Sequence, residues 1–294
     1  MRHDEAERWL MDVKVLGYGD NVIDHYLNKK IMYPGGNALN FAVNAYKNNV
    51  TAAYLGEFGN DVQGNYIKSI LEEIGIDISY CTQPGDAKTE IANVQIESGE
   101  RVFVGTERGT RRAIKLTDHV LSYISHFSLV HSGCHAATEE ELPKLKKIPV
   151  LRSFDFSDPE KYRTDQYLER VAPHIDMAIF SCSNDSETEM SRLYDACRSF
   201  GVRYILMTRG EKNPIFYCGT AKYEGHVKML DHVRDTMGAG DAYCSAFIVS
   251  LLKSGWKVTN QPIKEQIEVA FKVAAAYSAE TCLIDGSFGY GKNE

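Results

Sequence analysis

The segment best suited to chemistry is Asp235-Thr236-Met237-Gly238-Ala239-Gly240-Asp241. It runs into Ala242, Tyr243, Ala246, Phe247, Val249, Ser250 and Leu251, which recur at helical spacing. A Gly-Ala-Gly turn opening a helix leaves the first-turn N–H groups unpaired, and its small residues let a ligand approach that backbone closely. Such a terminus suits phosphate or a developing oxyanion. Asp241 stands where that anion would be held. A carboxylate there repels phosphate, and the task that would justify it is taking a proton from an attacking hydroxyl. The plainer reading is a helix start behind a glycine turn; the full heptapeptide weighs against it more than Gly-x-Gly-Asp alone would.

A second segment, Gly35-Gly36-Asn37-Ala38-Leu39-Asn40, runs into Phe41-Ala42-Val43-Asn44-Ala45-Tyr46. Two glycines before a helix again permit close backbone approach, and Asn40 offers a donor and an acceptor to a polyol. Upstream lies Gly17-Tyr18-Gly19-Asp20-Asn21-Val22-Ile23-Asp24. Its Gly-x-Gly lacks the third glycine of a dinucleotide fingerprint, and no Walker A sequence occurs in the chain. Asp24, just past the end of the first strand, is placed to accept hydrogen bonds from ligand hydroxyls.

Short apolar runs rich in β-branched and aromatic residues alternate with amphipathic stretches. Strands are expected at Val13–Leu16, Thr51–Leu55, Phe127–His131, Val150–Phe154, Met177–Phe180 and Tyr204–Thr208. Between them, Val62, Tyr66, Ile67, Ile70, Leu71 and Ile74 repeat at helical spacing before Gly75, and Met190, Leu193, Tyr194, Cys197 and Phe200 do so before Gly201. This alternation predicts an α/β fold of parallel β-α-β units, a sheet covered by helices on both faces. Two stretches break the rhythm. Asn21–Tyr33 reads as an extended segment, and Lys88–Gly105 as a hairpin turning at Glu97-Ser98-Gly99-Glu100. They form either a small flap appended to the sheet or two ordinary edge hairpins.

The chain has 294 residues, 44% of them hydrophobic, enough for a full core without disulfides. With 33 basic against 40 acidic residues the formal net charge is -7, which does not favour a nucleic-acid footprint. Seven scattered cysteines without a CxxC pair fit buried thiols in a reducing, cytoplasmic setting. No apolar run is long enough to span a bilayer. Residues 1–10 are polar, and either they form a disordered leader or Met11 is the native start; one α/β domain is expected over 11–294, with lid strands from about 20–34 and 88–105.

Together these residues resemble the ribokinase/PfkB family of carbohydrate kinases. Asp235–Asp241 is similar to that family's C-terminal signature, Gly35-Gly36-x-x-x-Asn40 to its N-terminal one, and Met207-Thr208-Arg209-Gly210 to the segment that meets the nucleotide. The resemblance implies a three-layer sandwich around a mostly parallel sheet, with a small β-sheet lid over the sugar. It implies ATP and Mg2+ as reactants, Asp241 as general base, and the amides of Gly238, Ala239 and Gly240 as anion hole. Asp24, Gly35, Gly36 and Asn40 would then hold substrate hydroxyls, and Thr208 and Gly210 the nucleotide.

A narrower likeness is to fructoselysine 6-kinases, on Gly19–Asp24, Arg101-Val102-Phe103, Phe154-Asp155-Phe156-Ser157-Asp158 and Asp285-Gly286-Ser287-Phe288-Gly289-Tyr290. Arg101 or Glu90 could be the charge partner of an amino acid. The alternatives are a fructokinase, ribokinase or nucleoside kinase and, from another class, a non-catalytic sugar sensor. The family's Asn-x-x-Glu is matched in spacing by Asn184-x-x-Glu187, but late after its strand. These two residues are candidate Mg2+ ligands or a helix cap, with Ser181 and Asn184 in register instead. Asp235 is a candidate ligand for a monovalent cation such as K+. His131 and His135 read as polar fillers. The flap's exposed edge suggests a homodimer.

Overall fold

The computed structural model describes residues 13–97 and 100–294, with side chains except those of residues 96–101. The leader, Met11 and the Arg101 side chain lie outside the described residues.

Strand β1 (Lys14–Tyr18) shows how the layers arise. Val15 points into one core while Leu16 and Tyr18, of opposite parity to it, point into another, as the two-residue period of a strand requires. With β4 (Thr51–Leu55), β7 (Leu129–Gly133), β8 (Leu151–Asp155), β9 (Met177–Ser181), β10 (Tyr204–Arg209), β11 (Lys212–Cys218) and β12 (Ala221–Glu224) it forms a sheet in the order β12-β11-β10-β9-β8-β7-β1-β4. The six strands from β10 to β4 pair in parallel; β11 and β12 add on antiparallel. One face is covered by helices Asn37–Lys47, Val62–Ile74, Ala239–Lys253 and Lys264–Thr281, the other by Asp118–Ile124, Leu142–Leu145, Asp165–Val171 and Glu187–Ser199. The three-layer α/β sandwich predicted from the alternation is the one observed.

Local signals place the helix ends. The Asp61 carboxylate accepts from Gly64 N at 2.7 Å and opens the Val62–Ile74 helix, which Gly75 closes at φ 92°. Ser186 accepts from Glu189 N at 3.1 Å to open Glu187–Ser199, and Gly201 follows at φ 86°.

The two irregular stretches belong to a second sheet, ordered β13-β3-β2-β5-β6, from β2 (Val22–Tyr26), β3 (Ile31–Gly35), β5 (Glu90–Glu97), β6 (Glu100–Glu107) and β13 (Lys292–Asn293). The segment read as merely extended is thus a hairpin, and its pairing with β5 makes the flap a single lid. Its root has a small core of its own, Tyr26, Tyr33, Val94 and Met237, with the two tyrosine rings edge to face at 5.1 Å. The β11–β12 hairpin lies outside the strands expected from the sequence; Ile215 and Phe216 on it are buried against the sheet.

At the N-terminal ends of the strands, away from the lid, a buried acid ties three of them. Asp176 Oδ2 accepts from Arg152 N (3.0 Å) and Nε (2.8 Å), and Oδ1 accepts from Arg152 Nη2 and Arg203 Nη2 (3.0 Å each). Removing the acid strands Arg152, which is only 15% exposed. Asp176→Ala is expected to lower the unfolding free energy by about 3 kcal/mol, read from chemical denaturation. An unchanged midpoint would mean that the cluster contributes nothing to stability.

Candidate active site

Two clefts open at the C-terminal edge of the main sheet. The first, of about 510 Å³, lies under the lid and is lined by Asp24, Gly36, Asn40, Gly238 and Asp241. The second, also about 510 Å³, runs along the start of the Ala239–Lys253 helix past Thr208, Gly210, Thr236, Ala239 and Gly240. A channel of about 160 Å³, lined by Asn37, His135, Asp155, Ser181, Gly240 and Asp241, lies at the junction. Asp241 lines the first cleft and the channel, and its neighbour Gly240 lines the channel and the second cleft.

Asp241 is held by two asparagines of the Asn37–Lys47 helix. Asn37 Nδ2 donates to Asp241 Oδ1 and also to Asp155 Oδ2, at 2.9 Å each, while Asn40 Nδ2 donates to Asp241 Oδ2 at 2.7 Å. Asn37 Oδ1 faces His131 Nε2 at 3.1 Å, and His131 Nδ1 faces Ser153 Oγ at 2.9 Å. His131 is buried and stacked on Phe41, and burial pushes its pKa down to about 3, so the ring is neutral. With Asn37 Oδ1 able only to accept, His131 donates from Nε2 and accepts the Ser153 hydroxyl proton at Nδ1. Ser153, His131 and Asn37 thus form a relay of hydrogen bonds that aims one amide at two carboxylates.

The electrostatics follow from that crowding. Burial first, then the charge of Asp155, pushes the Asp241 pKa up to about 7, against the opposing bonds from Asn40 and Asn37. Burial likewise raises Asp155 to about 6, opposed by bonds from Ser157 N and Asn37. A carboxyl with a pKa near neutrality is matched to accepting a proton in a reaction at neutral pH.

The backbone beneath is shaped around these groups. Gly238 has φ 69°, and a Cβ there would stand 2.7 Å from Ser287 Cβ. Asp235 is buried and fixes this turn: Oδ1 accepts from Met237 N (2.9 Å), and Oδ2 accepts from Tyr26 Oη (2.6 Å) and Gly286 N (2.8 Å). Those donors belong to the lid, the turn and the C-terminal segment, so Asp235 acts as a tie among them rather than as an open ligand. The amide of Ala239, expected in the anion hole, donates to Thr236 O at 3.2 Å. Of the expected Gly238, Ala239 and Gly240 set, Ala239 is thus already engaged, and the first-turn amides of Gly240 and Asp241 lie where a helix leaves its N–H groups unpaired. On the other side, Gly36 has φ 115°, and a Cβ on Gly35 would stand 2.5 Å from Asp24 Oδ2. Gly35 thus makes room for the Asp24 carboxylate rather than lining the cleft itself.

Most of the expected residues therefore converge, but the metal candidates do not. Asn184 and Glu187 are exposed and line neither cleft nor channel, and Glu187 Oε1 accepts from Arg209 Nη2 at 3.1 Å. They sit at the start of their helix, whereas Ser181, at the end of β9, reaches the channel. Among the described residues no group of three or more His, Cys, Asp or Glu could hold a metal by itself. Asp155 and Asp241, two carboxyls that share one donor and line the channel, fit a Mg2+ ion carried mainly by phosphate oxygens and water. Among the described residues no helix is long and apolar enough to cross a membrane.

The pfkB family carbohydrate kinase pattern matches residues 11–283. The chain belongs to that family. This carbohydrate kinase is 34% identical over 284 residues to the fructosamine kinase FrlD of Bacillus subtilis, covering 95% of this chain and 94% of that protein. It is 29% identical over 231 residues to the fructoselysine 6-kinase of Escherichia coli, covering 78% and 86% respectively. In fold it is similar to the fructokinase of Xylella fastidiosa solved with bound ATP, at TM-score 0.75 and 18% identity over 95% of this chain and 94% of that one. The ribokinase of Giardia lamblia superposes at TM-score 0.77 and 18% identity, over 94% and 96%. The kinase uses ATP to phosphorylate a sugar, and the sensor reading is set aside.

Reading residues alone missed several groups around Asp241. Asn37 stood inside the Gly-Gly segment, but only Asn40 was given a role. Asp20 accepts from Asn37 N (2.9 Å) and Ala38 N (3.2 Å) and so caps the helix carrying both asparagines, which a spacing pattern cannot reveal across 17 residues. If Asp241 must be ionised to react, kcat/KM for the sugar falls about tenfold per pH unit below about pH 7. Asn40→Ala removes a donor that favours the carboxylate, so the acid limb moves to higher pH in that variant. An acid limb unmoved from wild type would take Asn40 out of this role.

Proposed function

We propose that this kinase transfers the γ-phosphoryl group of ATP to the O6 hydroxyl of a fructosamine such as fructoselysine, with Asp241 as general base. The observation that carries this is the position of Asp241 at the junction of two clefts, its carboxyl poised near neutrality. The sugar lies in the first cleft. Asp24 accepts from its hydroxyls, and Asn40 offers Oδ1, which is buried with no partner among the described residues. The nucleotide lies in the second, along Thr208 and Gly210. As the acceptor hydroxyl attacks, its proton passes to Asp241, and the charge on the moving phosphoryl group meets the Gly240 and Asp241 amides. Mg2+ would neutralise phosphate charge near Asp155. The lid excludes water that would otherwise compete for the phosphoryl group.

The acceptor is proposed as a fructosamine on the strength of the Bacillus relative, which aligns over nearly the whole of both chains. The cleft volume, in the range of sites for ligands larger than one hexose, agrees with it. Asp241→Asn is expected to keep its fold and ATP binding and to lose about 10²–10⁴-fold in turnover. ADP release with fructoselysine, fructose, ribose and adenosine as acceptors is the assay; turnover near wild type in the variant would remove Asp241 from the base role.

The lid also supports the reading of a homodimer. Its outer strand β6 pairs on one side only among the described residues, and Phe103 and Val104 on it are exposed. Light scattering at micromolar concentration should give twice the chain mass; a monomer mass would refute the pairing.

A further inference from the structure

The outer wall of the first cleft carries more charge than a neutral sugar can use. Lys88, Arg111 and Arg112 stand there with Glu57 and Glu90. Arg111 donates from Nε to Glu90 Oε2 at 2.6 Å and from Nη2 to Glu90 Oε1. Arg112 donates from Nε to Glu57 Oε1 at 3.0 Å and grips Asp86 with both Nη atoms at 2.9 and 3.0 Å. The wall is built rather than loose. Thr110 N donates to Lys88 O at 2.8 Å and Lys88 N to Thr110 Oγ1 at 3.0 Å, while Asn21 Nδ2 holds Glu57 O at 2.8 Å.

The two acids are shielded, at 16% and 9% side-chain exposure for Glu90 and Glu57, but the Arg111 and Arg112 side chains are 39% and 43% exposed. Ion pairs this open are weakened by water and salt, so a ligand charge can replace one partner. The planar Arg fork reads a carboxylate through two parallel bonds. A neutral ketose would leave all of these charges idle. A sugar phosphate would bring a second anion toward Asp20, Asp24 and Asp241, which line the same cleft. An α-amino-acid head carries both signs and can exchange ion pair for ion pair, leaving no charge uncompensated.

We propose that this wall is the subsite for the zwitterionic amino-acid head of the substrate, its carboxylate on Arg111 and Arg112 and its ammonium on Glu57 and Glu90. The assignment rests on the fructosamine reading and adds which chemical end of the substrate is read, and by what. The test is steady-state kinetics and calorimetric binding with ε-fructosyl-lysine, its Nα-acetyl derivative, and 1-deoxy-1-pentylamino-fructose, which lacks both charges. Wild type should favour fructosyl-lysine over the pentylamine analogue by roughly tenfold or more in kcat/KM, through KM. That ratio should fall towards one in Arg111→Ala/Arg112→Ala, and to an intermediate value in Arg111→Lys/Arg112→Lys, which keeps charge but loses the fork. Glu57→Gln/Glu90→Gln should abolish discrimination against the acetylated derivative. A preference retained in the Arg→Ala pair, with folding intact by circular dichroism, would overturn the subsite and leave the fructosamine reading standing. Turnover of fructose with every fructosamine refused would overturn both.

Discussion

The site depends on one amide. Asn37 Nδ2 donates at once to Asp155 and Asp241, two carboxylates whose pKa values are both raised. Like charges so close would repel if left to themselves, and a single shared donor both relieves and aligns them. That donor cannot turn, because its carbonyl end is held by a neutral, buried His131, itself fixed by Ser153 and stacked on Phe41. His131 and Ser153 come from neighbouring parallel strands in register, Asp155 from the end of the same strand as Ser153, and Asn37 from the helix over them. The parallel sheet is therefore what sets the distance between the two acids. Neither histidine nor serine needs to touch a reactant to matter.

A second constraint couples the lid to the catalytic turn. Asp235 takes its bonds from Tyr26 in β2, from Met237 in the turn and from Gly286 near the C-terminus. Met237 also joins the aromatic core at the lid's root. The lid's position and the path of the Gly238 turn are thus set by the same buried group.

Much of this was legible in residue types and spacing, and the reason is local. Gly238, Gly36 and Gly75 stand where φ is positive, and a glycine at such a place is a requirement of the backbone that sequence records directly. The parallel strands showed through their apolar runs, because strands buried on both faces carry no polar alternation to confuse them. What was hidden is non-local. Asp20 caps a helix from the preceding loop, Asn37 bridges two acids from far-separated segments, and the Arg111 and Arg112 wall sits in a connection without periodicity. The Asn184-x-x-Glu187 match failed to reach the channel for a converse reason. Correct spacing along the chain gave it a helix start, but β9 ends before it and leaves Ser181 in the place that matters.

The proposed placement of two unlike ligands follows the distribution of charge across the two clefts. The first cleft has an acidic floor, with Asp20, Asp24 and Asp241, suited to hydroxyl donors and hostile to phosphate. Its basic residues are confined to the outer wall, where water screens them from that floor. The second cleft presents a helix N-terminus and glycine backbone together with Arg209, Lys212 and Lys228, features that favour phosphate. Asp241 stands at the boundary, on the helix whose first turn lines the second cleft, and its hydrogen-bond donors, Asn37 and Asn40, line the first. In the proposed transfer, a proton moving from the acceptor hydroxyl to Asp241 removes negative charge at that boundary at the moment the phosphoryl group brings more. The helix terminus alone could not do this, because it offers only fixed dipoles; the titrating carboxylate supplies the compensating change in charge.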